Sequence, residues 1–284
     1  RLSLVGSEMC IRDRNIILEM NKLFFKIFTL TIGFSFLYFP ILTLIAYSFN
    51  DNKRVMVWKG FSFRWYKELF HNEQILEAFY TSLKIASLSA TFATVMGVMI
   101  GFSLTRISKI PARPFFIFLS SSPLVMPEII LGLSLLLFFI SSNHIIGFPS
   151  SKGQLTVLIS HITFSVAFVA VIIQSRLSSY DKNIEEAAQD LGTIPNMIFW
   201  KVTAPVILPA ILSGWLLAFT LSLDDLVVAS FTTGPGANTL PIVVFSKVRL
   251  GLSPEVNALS AIIMLIVILA AISIYLINRS NIKK

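Results

Sequence analysis

Three acidic residues lie within long apolar stretches of this sequence, where a charged side chain is energetically unfavourable. Glu128 follows Pro127 directly, near the middle of one stretch, and Asp224 and Asp225 are neighbours in the outer third of another. A carboxylate at the centre of a membrane helix costs roughly 2.5–3.5 kcal/mol on insertion scales. The three acids therefore indicate a water-lined pathway, or a solute whose positive charge compensates them.

The two aspartates are not expected to share one role. Adjacent residues point about 100° apart around a helix, so we expect one of the pair, Asp225, to face the pathway and the other to face a neighbouring helix. The alternative is that both cap or bond the end of an interfacial helix. Trp215 and Phe219 lie one turn apart, before the pair, and could line the same pathway. Packing in the core is the alternative for both rings.

A polar stretch, residues 181–205, interrupts the apolar sequence. Asp181 can cap a short helix, and acids are favoured near its electropositive amino end, where Glu185 and Glu186 lie. Positions i, i+3, i+4 and i+7 of this helix form one narrow apolar face. The face consists of Ile184, Ala187, Ala188 and Leu191. Alanines allow close approach at little entropic cost, so the face suits docking in a partner's groove.

The polar stretch contains a second short helix. Gly192 is a typical residue just beyond a helix end. A helix over residues 196–202, with Pro195 at its start, then runs to Pro205 and the next apolar segment. Two short helices thus meet at a glycine elbow between two apolar segments.

This elbow resembles the EAA loop of ATP-binding-cassette importer permeases, whose pattern is EAA, three residues, Gly, nine residues and I-x-L-P. The matching residues are Glu186, Ala187, Ala188, Gly192, Val202 and Pro205. Val202 and Ala204 replace the usual Ile and Leu. The resemblance continues through residues 36–50, 122–137 and 214–259, and the segment DDLVVASFTTGPG is similar to the polyamine branch of the family.

The resemblance implies one half of a translocation pore that works by alternating access. A second homologous permease would form the other half, a pair of cytoplasmic ATP-binding subunits would drive it, and a periplasmic binding protein would deliver putrescine or spermidine. The residues that would couple to the ATPase are Glu185, Glu186, Ala187, Ala188, Leu191, Gly192 and Pro205. The substrate pathway would comprise Glu128, Trp215, Phe219, Asp224 and Asp225. A diamine would supply the charge that these acids need.

Composition defines the broad class. With 284 residues, 55% hydrophobic and 13% charged, and a mean hydropathy of +0.79, the chain is an integral membrane protein surrounded by lipid. A formal charge of +8 fits basic residues at membrane edges, and no separate basic patch suggests a nucleic-acid partner. Cys10 is the only cysteine, the histidines lack the spacing of metal ligands, and His161 is expected to be a core residue.

The sequence carries no signature of an enzyme or of a cofactor site. It lacks the nucleotide loop GxxxxGK[ST], a plausible Ser/His/Asp arrangement and a metal cluster. We therefore expect a transport subunit whose ATP is bound and hydrolysed by a partner.

Six apolar segments are each long enough to cross a membrane, which takes about 20 helical residues. They cover residues 23–49, 78–104, 114–141, 154–176, 206–231 and 256–277. We predict an all-α integral membrane protein with six transmembrane helices and a cytoplasmic coupling loop, residues 181–205, between spans four and five. Basic residues are concentrated after span two and at the carboxyl end. We therefore expect the chain to lie in a bacterial inner membrane with both termini on the cytoplasmic side.

Residues 1–19 fit poorly with the rest of the chain. The segment SLVGSEMCIRDR resembles a translated sequencing adapter, so we expect a non-native leader followed by a single permease domain over 20–284. A genuine cytoplasmic extension is the alternative.

Two other functions stay open at this point. One is an importer permease for another cation or an amino acid. The other is a secondary transporter or channel that works alone, which would need inverted repeats or an ion site of its own.

Overall fold

The computed structural model describes residues 2–53, 57–106, 113–181, 183–251 and 253–282, and these are almost entirely helical. The helices are α1 Leu2–Ser48, α2 Arg64–His71, α3 Glu73–Arg106, α4 Arg113–Val125, α5 Glu128–Ile146, α6 Gln154–Ser178, α7 Asn183–Asp190, α8 Pro195–Ile198, α9 Ala204–Asp224, α10 Val227–Thr232, α11 Leu240–Leu250 and α12 Pro254–Ile282. A π-helical turn, Phe199–Thr203, joins α8 to α9. One antiparallel bridge pairs Asn50 with Phe61 in the described ranges.

Within the described ranges, five helical segments are long and apolar enough to cross a membrane. They are Phe24–Ser48, Glu73–Arg106, Glu128–Ile146, Gln154–Ser178 and Phe199–Asp224. A sixth, shorter apolar segment is Pro254–Ala270, which is the first part of α12. Lipid cannot satisfy an open backbone, so helices are the expected form for such segments. The predicted all-α fold is confirmed.

Two compact units make up the chain, one formed by Arg1–His71 with Gly251–Lys284 and the other by Asn72–Leu250. In the first unit α12 packs against α1 and α2. Trp65 of α2 is buried, and its Nε1 donates a hydrogen bond of 2.6 Å to the Asn50 carbonyl. Helix α1 runs without interruption past residue 19, so no change of secondary structure marks the expected leader, whose foreign origin stays a prediction.

The second unit is built on the packing of α3, α6 and α9 against one another. Its core cluster consists of Ala90, Ala93, Val166, Val169, Ile173, Leu177, Ile207 and Ala218. Close approach of α3 and α6 depends on two glycines, because a Cβ at Gly97 would lie 2.7 Å from Val169 and one at Gly101 would lie 2.8 Å from Ile173. Small residues play this role in membrane helix packing generally.

Two predicted spans differ from the structure because their helices break. The segment predicted over 114–141 consists of α4 and α5, separated at Met126 and Pro127. Glu128 is therefore the first residue of α5 and lies at the break, next to Pro127. The segment predicted over 206–231 begins earlier, within the π-helical turn, and breaks at Asp225. Prolines and local hydrogen bonds decide such breaks, whereas hydropathy does not register them.

The tight contact at Gly97 yields a stability prediction. Gly97→Ala should lower the free energy of unfolding by roughly 1–3 kcal/mol, since the added methyl overpacks the contact between α3 and α6. Thermal unfolding of the purified protein in detergent measures the change. The matched control is Gly33→Ala on α1, where an added Cβ meets no atom within 4 Å. Equal midpoints for the two variants would contradict this account of the packing.

Candidate functional site

The coupling loop, described except at residue 182, contains the first short helix that its sequence predicts, as α7. The second, predicted over 196–202, is α8 followed by the π-helical turn, and it continues into α9 without a break. The backbone N–H of Asn183 donates to Asp181 Oδ1 over 3.0 Å at the start of α7. Gly192 ends that helix with φ of +84°, which favours glycine. The N–H of Gly192 bonds to the Gln189 carbonyl and the N–H of Thr193 to the Ala188 carbonyl, which is the Schellman arrangement for a helix end.

The exterior of this elbow is apolar and open. Leu191 is 87% exposed and Trp200 is 73% exposed, and Ile184 and Ile194 are also exposed. Glu186 and Ala187 share this exposure, whereas Ala188 is half-buried. The apolar face predicted for α7 is therefore divided, since Ala188 turns toward the protein while the others stay free to meet a partner. An apolar surface of this kind is typical of a docking site.

Glu185 is held by the same chain. Its Oε1 lies 3.0 Å from Arg106 Nη2 and accepts hydrogen bonds from Arg106 Nε at 3.2 Å and from Thr203 Oγ1 at 2.9 Å. The guanidinium of Arg106 also lies over the ring of Tyr180, 5.3 Å from its centre. Burial, and after it the Glu185 carboxylate, raises the pKa of the Tyr180 hydroxyl above its ordinary value, so the ring stays neutral beside this ion pair.

Through these contacts the coupling loop is tied to two long helices. Arg106 is the last residue of α3, and Thr203 ends the π-helical turn that leads into α9. Pro205 stands in the first turn of α9 and offers no N–H, and the N–H of Ala204 bonds to Phe199, five residues back. Sequence analysis missed the roles of Arg106 and Thr203, because the partners are 79 and 18 residues apart and no local spacing links them.

The acids of the apolar segments meet at one cavity. We call this space of about 260 Å³ the acid-lined cavity. Its walls are formed by Pro123, Met126, Glu128, Leu131, Phe164, Leu221, Asp224, Asp225, Leu226, Val227 and Val228. Glu128 and Asp224 are exposed, the first at the start of α5 and the second at the end of α9. Glu128 and Asp224 are 96 positions apart in the sequence. They come together because one helix break separates α4 from α5 and another follows α9.

Asp225 differs from its neighbour. It is only 9% exposed, and its backbone is extended, with φ of −65° and ψ of 121°. Its Oδ1 accepts the N–H of Val228 over 3.2 Å and its Oδ2 accepts the N–H of Ala229 over 2.7 Å, in the first turn of α10. The helical-wheel argument for the two aspartates is therefore wrong, since the helix ends between them.

The remaining predicted pathway residues lie elsewhere. Trp215 and Phe219 stack with ring centres 5.3 Å apart and pack against the core cluster of α3, α6 and α9. Trp215 Nε1 donates a hydrogen bond of 3.2 Å to Thr91 Oγ1. Neither ring lines the acid-lined cavity, so their contact with a substrate stays a prediction. Among the described residues no group of three or more His, Cys, Asp or Glu side chains is arranged to hold a metal ion.

Helices of membrane-spanning length, an exposed two-helix elbow between two of them and a cavity lined with carboxylates define a class of protein, the multi-pass membrane permease. Residues 93–283 match the family described as binding-protein-dependent transport system inner membrane component. The chain belongs to this family.

Two relatives resemble almost the whole chain. The putrescine transport system permease protein PotI of Escherichia coli (strain K12) is 50% identical over 257 residues, which are 90% of this chain and 92% of that protein. The spermidine/putrescine transport system permease protein PotC of the same organism is 39% identical over 254 residues, covering 89% of this chain and 94% of that one.

Among solved structures, the fold is similar to that of a bacterial alginate ABC transporter in complex with an alginate pentasaccharide-bound periplasmic protein. The TM-score is 0.68, and the match covers 89% of this chain and 93% of that chain at 17% sequence identity. This likeness supports the permease fold.

The anchoring of Glu185 leads to a local prediction. Arg106→Met should destabilise the docked coupling loop by roughly 1–3 kcal/mol, since the Glu185 carboxylate then loses its charged partner. Hydrogen exchange of the α7 amides should accelerate by about tenfold or more, because 1.4 kcal/mol corresponds to a factor of ten. The control is Asp190→Asn, which changes an exposed carboxylate on the same helix. Unchanged exchange in Arg106→Met would show that the ion pair does not hold the loop.

Proposed function

We propose that this chain is the permease subunit of an ATP-driven polyamine importer and that its substrate is putrescine. The observation that carries the proposal is the 50% identity, over 90% of the chain, with a putrescine transport system permease protein. Another relative, at 39% identity, is a spermidine/putrescine transport system permease protein, which supports the same class of substrate. Transport proceeds by alternating access, as rigid helix motions expose the pathway to each side of the membrane in turn.

The acid-lined cavity supports a cationic substrate. Glu128 and Asp224 present exposed carboxylates there, and neither forms a salt bridge within the described part of the chain. An ammonium group between such carboxylates makes charge-assisted hydrogen bonds, which are about twice as strong as neutral ones. The volume of about 260 Å³ is slightly below the common range for small-molecule sites, roughly 300–1,000 Å³, and suits a small diamine.

The importer needs partners that this chain does not contain. We propose a second homologous permease, a pair of cytoplasmic ATP-binding subunits and a periplasmic binding protein. A binding protein is part of the family's description, and a periplasmic protein is bound to the alginate transporter of similar fold. The assembly lies in a bacterial inner membrane, with both termini of this chain and the coupling loop in the cytoplasm.

The coupling loop is the place where the ATP-binding subunits act. Glu186 and Ala187 on α7, together with Leu191 just after its end, form an exposed surface next to the elbow at Gly192. A push on this surface reaches α3 through the contact of Glu185 with Arg106, and α9 through the contact of Glu185 with Thr203. The two long helices therefore receive the force together, and they extend toward the acid-lined cavity.

The substrate is tested by uptake of labelled putrescine into proteoliposomes that contain the complete importer. Asp224→Asn and Glu128→Gln should each lower uptake by about tenfold or more, since each removes the negative charge that strengthens the hydrogen bond to an ammonium group. The matched control is Thr220→Val, one turn before Asp224 on the same helix, where an exposed hydroxyl bonds only to the backbone. Uptake in the absence of the ATP-binding subunits would instead indicate a secondary transporter.

The coupling role is tested at the elbow. Gly192→Val should abolish uptake and weaken association with the ATP-binding subunits, because a β-branched residue at φ of +84° is strained. Gly192→Asn is the control, since asparagine tolerates a left-handed backbone far better. No atom of the described residues lies within 4 Å of the site of a Cβ here, so neither variant is expected to clash within the chain, and the two differ in backbone strain. Equal uptake by both variants would speak against the elbow as the coupling element.

A further inference from the structure

A buried group of polar side chains lies directly behind the acid-lined cavity. His161 Nδ1 is 2.6 Å from Ser222 Oγ, and Ser89 Oγ donates to the same Ser222 oxygen over 2.9 Å. On the other edge of the imidazole ring, His161 Nε2 lies 3.2 Å from Asp225 Oδ2, a close contact without the geometry of a hydrogen bond. These four residues, which we call the polar clasp, come from α3, α6, α9 and the break that follows α9.

The polar clasp is sealed from solvent. His161 and Ser89 are 0% exposed and Ser222 is 4% exposed. Polar groups within membrane-spanning helices are costly and generally mark functional positions, because hydrocarbon offers them no hydrogen bonds. A plain core residue at position 161 would avoid this cost. The expectation that His161 is a core residue is correct for its burial and incomplete for its chemistry.

Asp225 belongs to both the polar clasp and the acid-lined cavity, but its carboxylate is already occupied. Two backbone N–H groups of α10 donate to it, and His161 stands beside Oδ2. A carboxylate has about four lone-pair sites, so little capacity is left for an ammonium group. The neighbouring Asp224 has no such commitment to α10 and remains exposed in the cavity.

We propose that His161 is a positioning residue of the transport pathway, which holds Asp225 against α6 and thereby keeps α9 broken with Asp224 presented to the acid-lined cavity. Recognition of the ammonium group then belongs to Asp224 and Glu128, and Asp225 acts on the shape of the site. This assignment rests on the proposed function for the identity of the substrate. The geometric part, that His161 maintains the break, is independent of the substrate.

The first test is uptake of labelled putrescine by the complete importer carrying variants of the pair. His161→Leu fills the space without a polar atom and should lower uptake by about tenfold or more, because the buried Asp225 carboxylate then faces an apolar side chain instead of the ring nitrogen. His161→Gln should retain uptake within about threefold, because its amide can donate to Asp225 and accept from Ser222. Asp225→Asn should lower uptake, because it disturbs both the contact with His161 and the bonds to α10. Adding His161→Leu to it should cause no further loss, since His161 acts only through Asp225.

The second test reports the position of Asp224 without any substrate. Cys10 is replaced by serine, Asp224→Cys is introduced, and its rate of reaction with 2-aminoethyl methanethiosulfonate is measured in the complete importer. His161→Leu should slow the reaction by about tenfold or more, because a side chain that leaves a water-filled space loses access to the reagent. In the His161→Gln background, the cysteine at position 224 should react at nearly the rate measured with His161 in place. Thr220→Cys, one turn earlier on α9, should react equally in all backgrounds.

The outcomes separate the two ideas. Unchanged reaction of Cys at position 224 in His161→Leu, or additive losses in the double variant with Asp225→Asn, would overturn the positioning role. Normal uptake by Asp224→Asn together with loss in Asp225→Asn would overturn the division of labour between the aspartates. Failure of the unmodified importer to take up putrescine would overturn the proposed function, and the reaction rates would still decide the role of His161.

Discussion

At the point where the fifth apolar helix breaks, the Asp225 carboxylate accepts hydrogen bonds from backbone N–H groups that a continuous helix would bond to backbone carbonyls. The acid-lined cavity depends on this replacement of backbone acceptors by a side chain. Within a membrane an unpaired backbone group costs several kcal/mol, so a helix can open only where protein atoms replace its lost bonds. The Asp225 carboxylate does this for Val228 and Ala229. The break that it permits allows α9 to end at Asp224, beside the beginning of α5 at Glu128.

A rigid support is needed to fix the orientation of the helices on either side of the break. Helices α3, α6 and α9 provide it by packing closely at Gly97 and Gly101, with Val169 and Ile173 in the notches. The same three helices carry Ser89, His161 and Ser222. Dense apolar packing and the buried polar clasp thus lie in one bundle. We therefore expect a displacement of α3 or α9 to be transmitted to the acid-lined cavity. Close-packed interiors transmit strain in this way.

At the other end of the bundle, Glu185 joins the coupling loop to α3 and α9. An ion pair that is largely shielded from solvent resists separation, because parting it leaves a poorly solvated charge. The side chains of Arg106 and Glu185 are 8% and 15% exposed. Glu186 on α7 and Leu191 just beyond it are exposed, and in our proposal they meet the ATP-binding partner. A force on that surface would then pass through the shielded ion pair into the bundle.

The sequence by itself determined the features that depend on neighbouring residues. Apolar length predicts the helices, and the spacing from Glu186 to Pro205 predicts the elbow and the family, since caps, glycine stops and helix faces are local. The break between α4 and α5 is also indicated locally, because Pro123 and Pro127 disfavour a continuous helix.

Only the tertiary structure decided which side chains meet. The contact of Glu185 with Arg106 joins residues 79 positions apart, and that of His161 with Ser222 joins residues 61 apart. The different roles of Asp224 and Asp225 follow from a helix that ends between them, where a uniform helical wheel was assumed. Such contacts depend on how whole helices pack. The spacing of residues along the chain does not show which distant side chains will be in contact once the helices have packed.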